Sequence, residues 1–192
     1  MEPHKSKPTL LQHFKASAFW IVGIVLLMWG VALVNVLLGH QLIVWGIRPR
    51  TASGLLGILL SPFLHDGIGH LLVNTIPFVV LGWLVILHGT GMFLEVSVFV
   101  ILLSGAGTWL FGRSAYHVGA SGLIFGYFGF LVARSYYERS LGSILVAFVT
   151  ILLYGGMLWG VLPLIAHISW EGHLFGLLAG VLAARLLALD SD

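Results

Sequence analysis

Apolar positions along the chain gather into six long runs separated by short polar stretches. Phe19 to Leu38 is 20 residues without a charge, long enough at about 1.5 Å per residue to cross a hydrocarbon core of about 30 Å. Leu55 to Leu64 is apolar but only ten residues long, which predicts an interfacial or re-entrant first outer loop. His70 to Leu87 and Met92 to Phe111 predict a second and a third span, with Gly89-Thr90-Gly91 leaving so little loop that they form a tight antiparallel pair. Val118 to Ala133 is a fourth run of 16 residues, about 24 Å as a helix and short for a bilayer. A helix of that length can begin below the surface when its leading loop is buried in protein or lines a cavity. Ser143 to Trp159 predicts a fifth span, softened at Gly155-Gly156, and Trp170 to Leu189 a sixth.

The remaining stretches are polar and short. Residues 1–17 form a polar N-terminal segment whose lysines resemble the start of a signal peptide, with no small-residue cleavage site leading into a soluble domain. The predicted fold is an all-α polytopic membrane protein, a single domain over 1–192, with spans at about 19–38, 70–87, 92–111, 118–133, 143–159 and 170–189.

Composition points the same way. The chain is 59% hydrophobic and 8% charged, against about 25% charged in soluble domains, and its mean hydropathy is +1.04. The lipid bilayer is the expected surrounding. The absence of cysteine excludes disulfides and thiolate metal sites, and no metal or other cofactor is expected. A net charge of +2 is too small for nucleic-acid binding, so the basic residues are read for topology. With six spans, Lys5, Lys7, Lys15, Arg134, Arg139 and Arg185 share the side of the termini, and Arg48, Arg50 and Arg113 the other. That bias predicts cytoplasmic termini in a cell membrane.

Orientation makes the polar residues within the spans informative. Spans two, four and six run inward from the outer face, and their starts carry His70 and Asn74, Ser121, and His173. Spans one, three and five offer no comparable set at that level. Polar groups inside a membrane are costly and mark a functional cavity by default. Gly119-Ala120-Ser121-Gly122 alone is a weak motif in a chain with 25 glycines, and a lone serine at a helix start most often caps or packs. At a depth shared with three other polar side chains, Ser121 reads as a nucleophile. His173 is its candidate base, since a neutral imidazole can take a hydroxyl proton and return it to a leaving amine. Gly122 and Gly126 on span four, with Gly176 and Gly180 on span six, are small residues that let helix backbones approach in lipid. His70 and Asn74, four residues apart on one face, are candidate donors to an oxyanion with the Ser121 backbone N–H.

No acid completes a triad. Glu171 is two residues from His173 and points off its face, Asp66 is one turn before His70, and Glu95 belongs near the inner side, where an inner hydrogen bond is its only reading. Asp66 and Glu171 are expected to be interfacial charges, and Arg48 and Arg50 headgroup anchors. His40, His88 and His117 fall in loops or near helix ends and carry no site assignment.

Gly119-Ala120-Ser121-Gly122, His70-x-x-x-Asn74 and Gly172-His173-x-x-Gly176-x-x-x-Gly180 together resemble the rhomboid intramembrane serine proteases in their six-helix prokaryotic form. The resemblance covers nearly the whole chain. It implies a Ser121/His173 dyad, an oxyanion site of His70, Asn74 and the Ser121 backbone, and a water-filled cavity open to the outside. It also implies substrates with a single transmembrane segment, cut near that segment's outer end through an acyl-enzyme. His65 matches a second family histidine with a supporting role. Two departures stand out. Phe125 occupies the place where many members have a Tyr stacked on the catalytic imidazole, and Trp45 and Arg48 are not adjacent as in the family's first outer loop. Two further readings stay open: a proton or metal transporter using the histidine cluster, and a non-catalytic rhomboid-like protein that binds membrane helices.

Overall fold

The computed structural model describes residues 10–165 and 168–189, which leaves Lys5, Lys7 and the Asp190–Asp192 tail outside it. The described residues are helical, with one isolated bridge and no strand. Seven α-helices follow in order: α1 (Leu10–Leu37), α2 (Ala52–Leu60), α3 (Ile68–Ile86), α4 (Thr90–Phe111), α5 (Ser121–Glu138), α6 (Leu141–Tyr154) and α7 (Trp170–Leu189).

Among the described residues, five segments are long and apolar enough to cross a membrane: Lys15–Leu37, Ile68–Ile86, Thr90–Phe111, Leu141–Val161 and Trp170–Leu187. The chain is therefore a multi-pass membrane protein. α5, at the place of the expected fourth span, is not among them. It is also shifted from the expected 118–133, starting at Ser121 and continuing through Arg134 to Glu138. Its polar end is held by Arg134, which is buried, donates from Nε to Glu138 at 2.6 Å and lies over the Phe130 ring. α5 packs against α3, α4, α6 and α7, most extensively against α7. A helix surrounded by protein needs no apolar outer face, which is why composition marks it less clearly than the peripheral helices.

Other boundaries move as well. α1 starts at Leu10 rather than Phe19. The expected fifth span is α-helical only to Tyr154, and Gly155–Val161 tightens into a 3-10 turn, so the Gly155-Gly156 pair marks a change of helix type. The short outer run forms α2, capped where the Gly54 N–H donates to Thr51 Oγ1 at 3.2 Å, followed by a 3-10 turn at Ser61–Phe63.

Glycine sets the spacing of α5 and α7, with a division of labour different from the expected one. A Cβ on Gly176 or Gly180 would collide with the backbone carbonyl of Gly122 or Gly126, and one on Gly122 would lie 3.3 Å from the Gly172 carbonyl, so Gly122 faces α7 as expected and Gly126 is the departure. Gly126 spends its own missing side chain on α4, where Val100 fills the space, and Gly129 faces Leu177 of α7 instead. Below this level the core is apolar, built from Phe78, Leu81, Phe93, Phe130, Leu131 and Ala184. One polar link crosses it: the Tyr127 hydroxyl donates to Ser97 Oγ at 2.7 Å, and Ser97 donates to the Phe93 carbonyl.

Candidate active site

Ser121 is the first residue of α5, so its backbone N–H has no acceptor within the helix and the helix's positive end lies at the same point. The leading loop reaches it through Gly119 at φ +111, a left-handed region that favours glycine. That glycine has a second reason. A Cβ there would lie 2.6 Å from His70 Nε2, so only a bare Cα lets the imidazole approach the loop. The Gly119 N–H donates to the Ser61 carbonyl at 2.8 Å, which anchors the loop to the end of the α2 segment.

The structure brings Ser121 and His173 together, with Ser121 Oγ 2.9 Å from His173 Nε2. The opposite ring nitrogen settles the proton positions. Nδ1 lies 2.9 Å from the Gly160 carbonyl, which can only accept, so Nδ1 carries the proton. A neutral His173 therefore has a bare Nε2 that accepts the Ser121 O–H. Among the described residues no carboxylate bonds His173; a backbone carbonyl takes the orienting position. Phe125, one turn along α5 from Ser121, stacks on the imidazole at 4.2 Å between centroids and 11° between planes.

His70 and Asn74 enter from α3. Asn74 is buried and donates from Nδ2 to the His70 carbonyl at 2.8 Å. Asn74 Nδ2 and His70 Nε2 both face Gly119. Asp66, expected as a separate interfacial charge, instead bonds His70 Nδ1 through Oδ1 at 2.7 Å. His65 packs its ring edge-on to His70 at 5.2 Å and is buried, with neither ring nitrogen in good hydrogen-bond geometry. Burial first, and His70 second, push the His65 imidazole down to about 4, against smaller raising effects of the Phe63 backbone and Asp66.

These groups line one cavity of about 720 Å³, walled by α3, α5, the 155–161 turn and the head of α7. Asp66, His70, Asn74, Ser121 and His173 all reach it, beside apolar Val73, Ile124, Met157 and Trp159. A second, small cavity of about 30 Å³ lies behind Ser121, bordered by Ser104, Thr108, His117 and Ser169.

Several contributors had no assignment from sequence. α4 supplies buried Ser104 and Thr108, and α1 supplies buried Asn35, so spans one and three do reach this level. Asn35 Nδ2 donates to the His65 carbonyl at 3.1 Å and its Oδ1 accepts from the Leu42 N–H at 2.9 Å, which ties the first outer loop to the site. His117, in the α4–α5 loop as expected, is buried there. Its Nε2 donates to the Arg113 carbonyl at 3.1 Å, and Nδ1 accepts from Ser169 Oγ at 2.6 Å; burial lowers its pKa. Glu171 is also buried rather than interfacial. It accepts from the Arg113 backbone N–H at 3.1 Å, and the Arg113 guanidinium donates to the Ile168 carbonyl. Together these contacts clamp the α4–α5 loop onto the head of α7. Arg50 donates to the Leu110 and Gly112 carbonyls and so closes the end of α4, while Arg48 pairs with the Tyr116 hydroxyl. Glu95 is exposed on α4 and makes no hydrogen bond or ion pair among the described residues, contrary to the expected inner contact.

Comparison with known proteins adds a family relation. Residues 52–189 match the family model described as a Rhomboid domain. An uncharacterized protein of Mycobacterium tuberculosis is 40% identical over 184 residues, covering 88% of this chain and 77% of its own. One of Mycobacterium leprae is 38% identical, covering 88% and 73%. A protein of Acanthamoeba polyphaga mimivirus that bears the rhomboid name is 31% identical over 147 residues, covering 73% and 80%.

Proposed function

This chain belongs to the rhomboid family, and from that membership and the site geometry we propose that it is an intramembrane serine endopeptidase working through a Ser121/His173 dyad. The observation that carries the reading is the 2.9 Å contact between Ser121 Oγ and His173 Nε2, with Nδ1 tied to a carbonyl. In this reading α5 is a sixth span, the molecule is one membrane domain with both termini cytoplasmic, and the cavity opens to the outer face of a cell membrane. Its substrates are membrane proteins with a single transmembrane segment, cut near that segment's outer end.

The reaction follows from the proton positions. Ser121 Oγ attacks the scissile carbonyl carbon as its proton passes to His173 Nε2. The resulting imidazolium keeps its Nδ1–H on the Gly160 carbonyl. The oxyanion is held by the Ser121 backbone N–H, Asn74 Nδ2 and His70 Nε2, fixed donors aimed where charge develops. His173 then protonates the leaving amine, the C–N bond breaks, and Ser121 is left as an ester. Water attacks the ester with His173 taking its proton, and the acid departs as Ser121 recovers its own. The apolar packing of the inward halves of α3, α5 and α7 supports hydrolysis over ion conduction, since a proton or metal path needs polar groups throughout.

Cleavage of a model single-span substrate in liposomes tests the proposal. Ser121→Ala is expected to abolish it, and undiminished cleavage by that variant would sink the mechanism. Labelling by a fluorophosphonate is expected to require both Ser121 and His173.

A further inference from the structure

Asp66 is the one carboxylate among the described residues that reaches the cavity, and the dyad does not use it. It precedes α3 by two residues and meets His70 four residues on, with Oδ1 2.7 Å from Nδ1. The carboxyl side chain is 64% exposed, and ion pairs at such exposure contribute little to stability. Its consequence lies instead in the ring it touches. An imidazole free at Nδ1 can rotate and exchange its two nitrogens; one bonded to a carboxylate cannot do so without losing that bond. With Nδ1 on Asp66, Nε2 is the nitrogen left facing Gly119, two residues before the nucleophile.

Resting on the oxyanion reading of His70, we propose that Asp66 is a positioning residue that holds His70 by Nδ1 and presents Nε2–H to the oxyanion. The carboxylate holds a proton on Nδ1, so a ring that also donates from Nε2 carries both protons and a positive charge, which Asp66 balances at contact distance. The surroundings admit that charge. His65, edge-on to His70 at 5.2 Å, is uncharged at neutral pH, with its imidazole pushed down to about 4 by burial and by His70 itself. Arg113, the guanidinium that lines the cavity among the described residues, is engaged by Glu171 and the Ile168 carbonyl. His173 is bonded at both nitrogens to Ser121 and Gly160. The pair thus sets His70 Nε2 beside the donors of the Ser121 backbone and Asn74.

The test uses the full chain in liposomes with a single-span substrate, comparing Asp66→Asn, Asp66→Glu, His70→Ala and the Asp66→Asn/His70→Ala double variant. Asp66→Asn is expected to lower kcat by about tenfold or more, inside the roughly 10²-fold worth of one oxyanion donor, with KM within about twofold. Asp66→Glu is expected to restore most of the rate, and Asp66→Asn to cost nothing further once His70 is Ala, because coupled groups are not additive. Fluorophosphonate labelling rates replace turnover where cleavage is too slow to measure. Nitrogen NMR of histidine-labelled protein is expected to show His70 Nδ1 protonated in the wild type and changed in Asp66→Asn. A wild-type kcat in Asp66→Asn beside an impaired His70→Ala overturns the role of Asp66 alone. An equal loss in both backgrounds overturns it too, since Asp66 would then act independently of His70. A wild-type rate in His70→Ala instead overturns the oxyanion reading beneath it.

Discussion

Phe125 and His173 lie ring on ring, 4.2 Å apart and 11° from parallel, although they come from different helices. The stack fixes the plane of the imidazole, and the Gly160 carbonyl fixes its rotation within that plane. A phenyl ring does the first task without a hydroxyl, because stacking depends on the π face alone. Phe125→Leu is therefore expected to lower kcat by about 3- to 10-fold, the rate equivalent of an aromatic pair worth about 0.5–1.5 kcal/mol. Phe125→Tyr is expected to remain near wild type in the same cleavage assay, and a loss as large as that of Leu would contradict the stacking role.

The oxyanion donors make a separate prediction. Asn74 Nδ2 spends one hydrogen on the His70 carbonyl, which leaves the other for substrate. Asn74→Ala and His70→Ala are each expected to lose about 10²-fold in kcat. Wild-type rates in both would reassign these side chains to helix packing.

Gly180 tests the close approach of α5 and α7. An added Cβ there would meet the Gly126 carbonyl, a backbone group that cannot swing aside. Gly180→Ala is expected to destabilise the protein by about 1–3 kcal/mol, as overpacking does elsewhere. Thermal unfolding in detergent reads the loss, and an unchanged midpoint would mean that the helices part freely.

His65 predicts a pH dependence of stability. Its imidazole is pushed from 6.5 to about 4 in the folded protein, so between those values the unfolded chain binds the extra proton. Stability is then lost as pH falls from about 6.5 toward 4, by an amount on the order of 3 kcal/mol when complete. Unfolding midpoints at pH 7 and pH 4.5 are expected to differ less in His65→Gln than in the wild type, and equal differences would exclude His65 as the source.

Much of the membrane architecture was legible because a bilayer demands long apolar runs, and five such segments fall where the chain is most hydrophobic. α5 was harder to delimit. Its neighbours are protein, so Arg134 sits buried within the helix without the penalty that lipid would impose, paired with Glu138 at the exposed end. Glu171 was misplaced, and the burial of His117 in its loop went unread, for a related reason. Each is buried by a partner more than 50 residues distant in sequence, and nothing local announces such a pairing.

The candidate site divides along the same line. Residue types and helical spacing by themselves put Ser121, His173, His70 and Asn74 at one depth, because three helices run in one direction and each carries its polar groups at the start. Which atoms meet was decided only by tertiary structure. The orienting partner of His173 is a backbone carbonyl, a group that every residue has and no sequence pattern marks. Asp66 was visible one turn before His70, yet whether it faced water or the imidazole depended on a side-chain rotation that only the packed cavity resolves. Sequence carries chemistry and period; distance and direction arise where helices far apart in the chain press together.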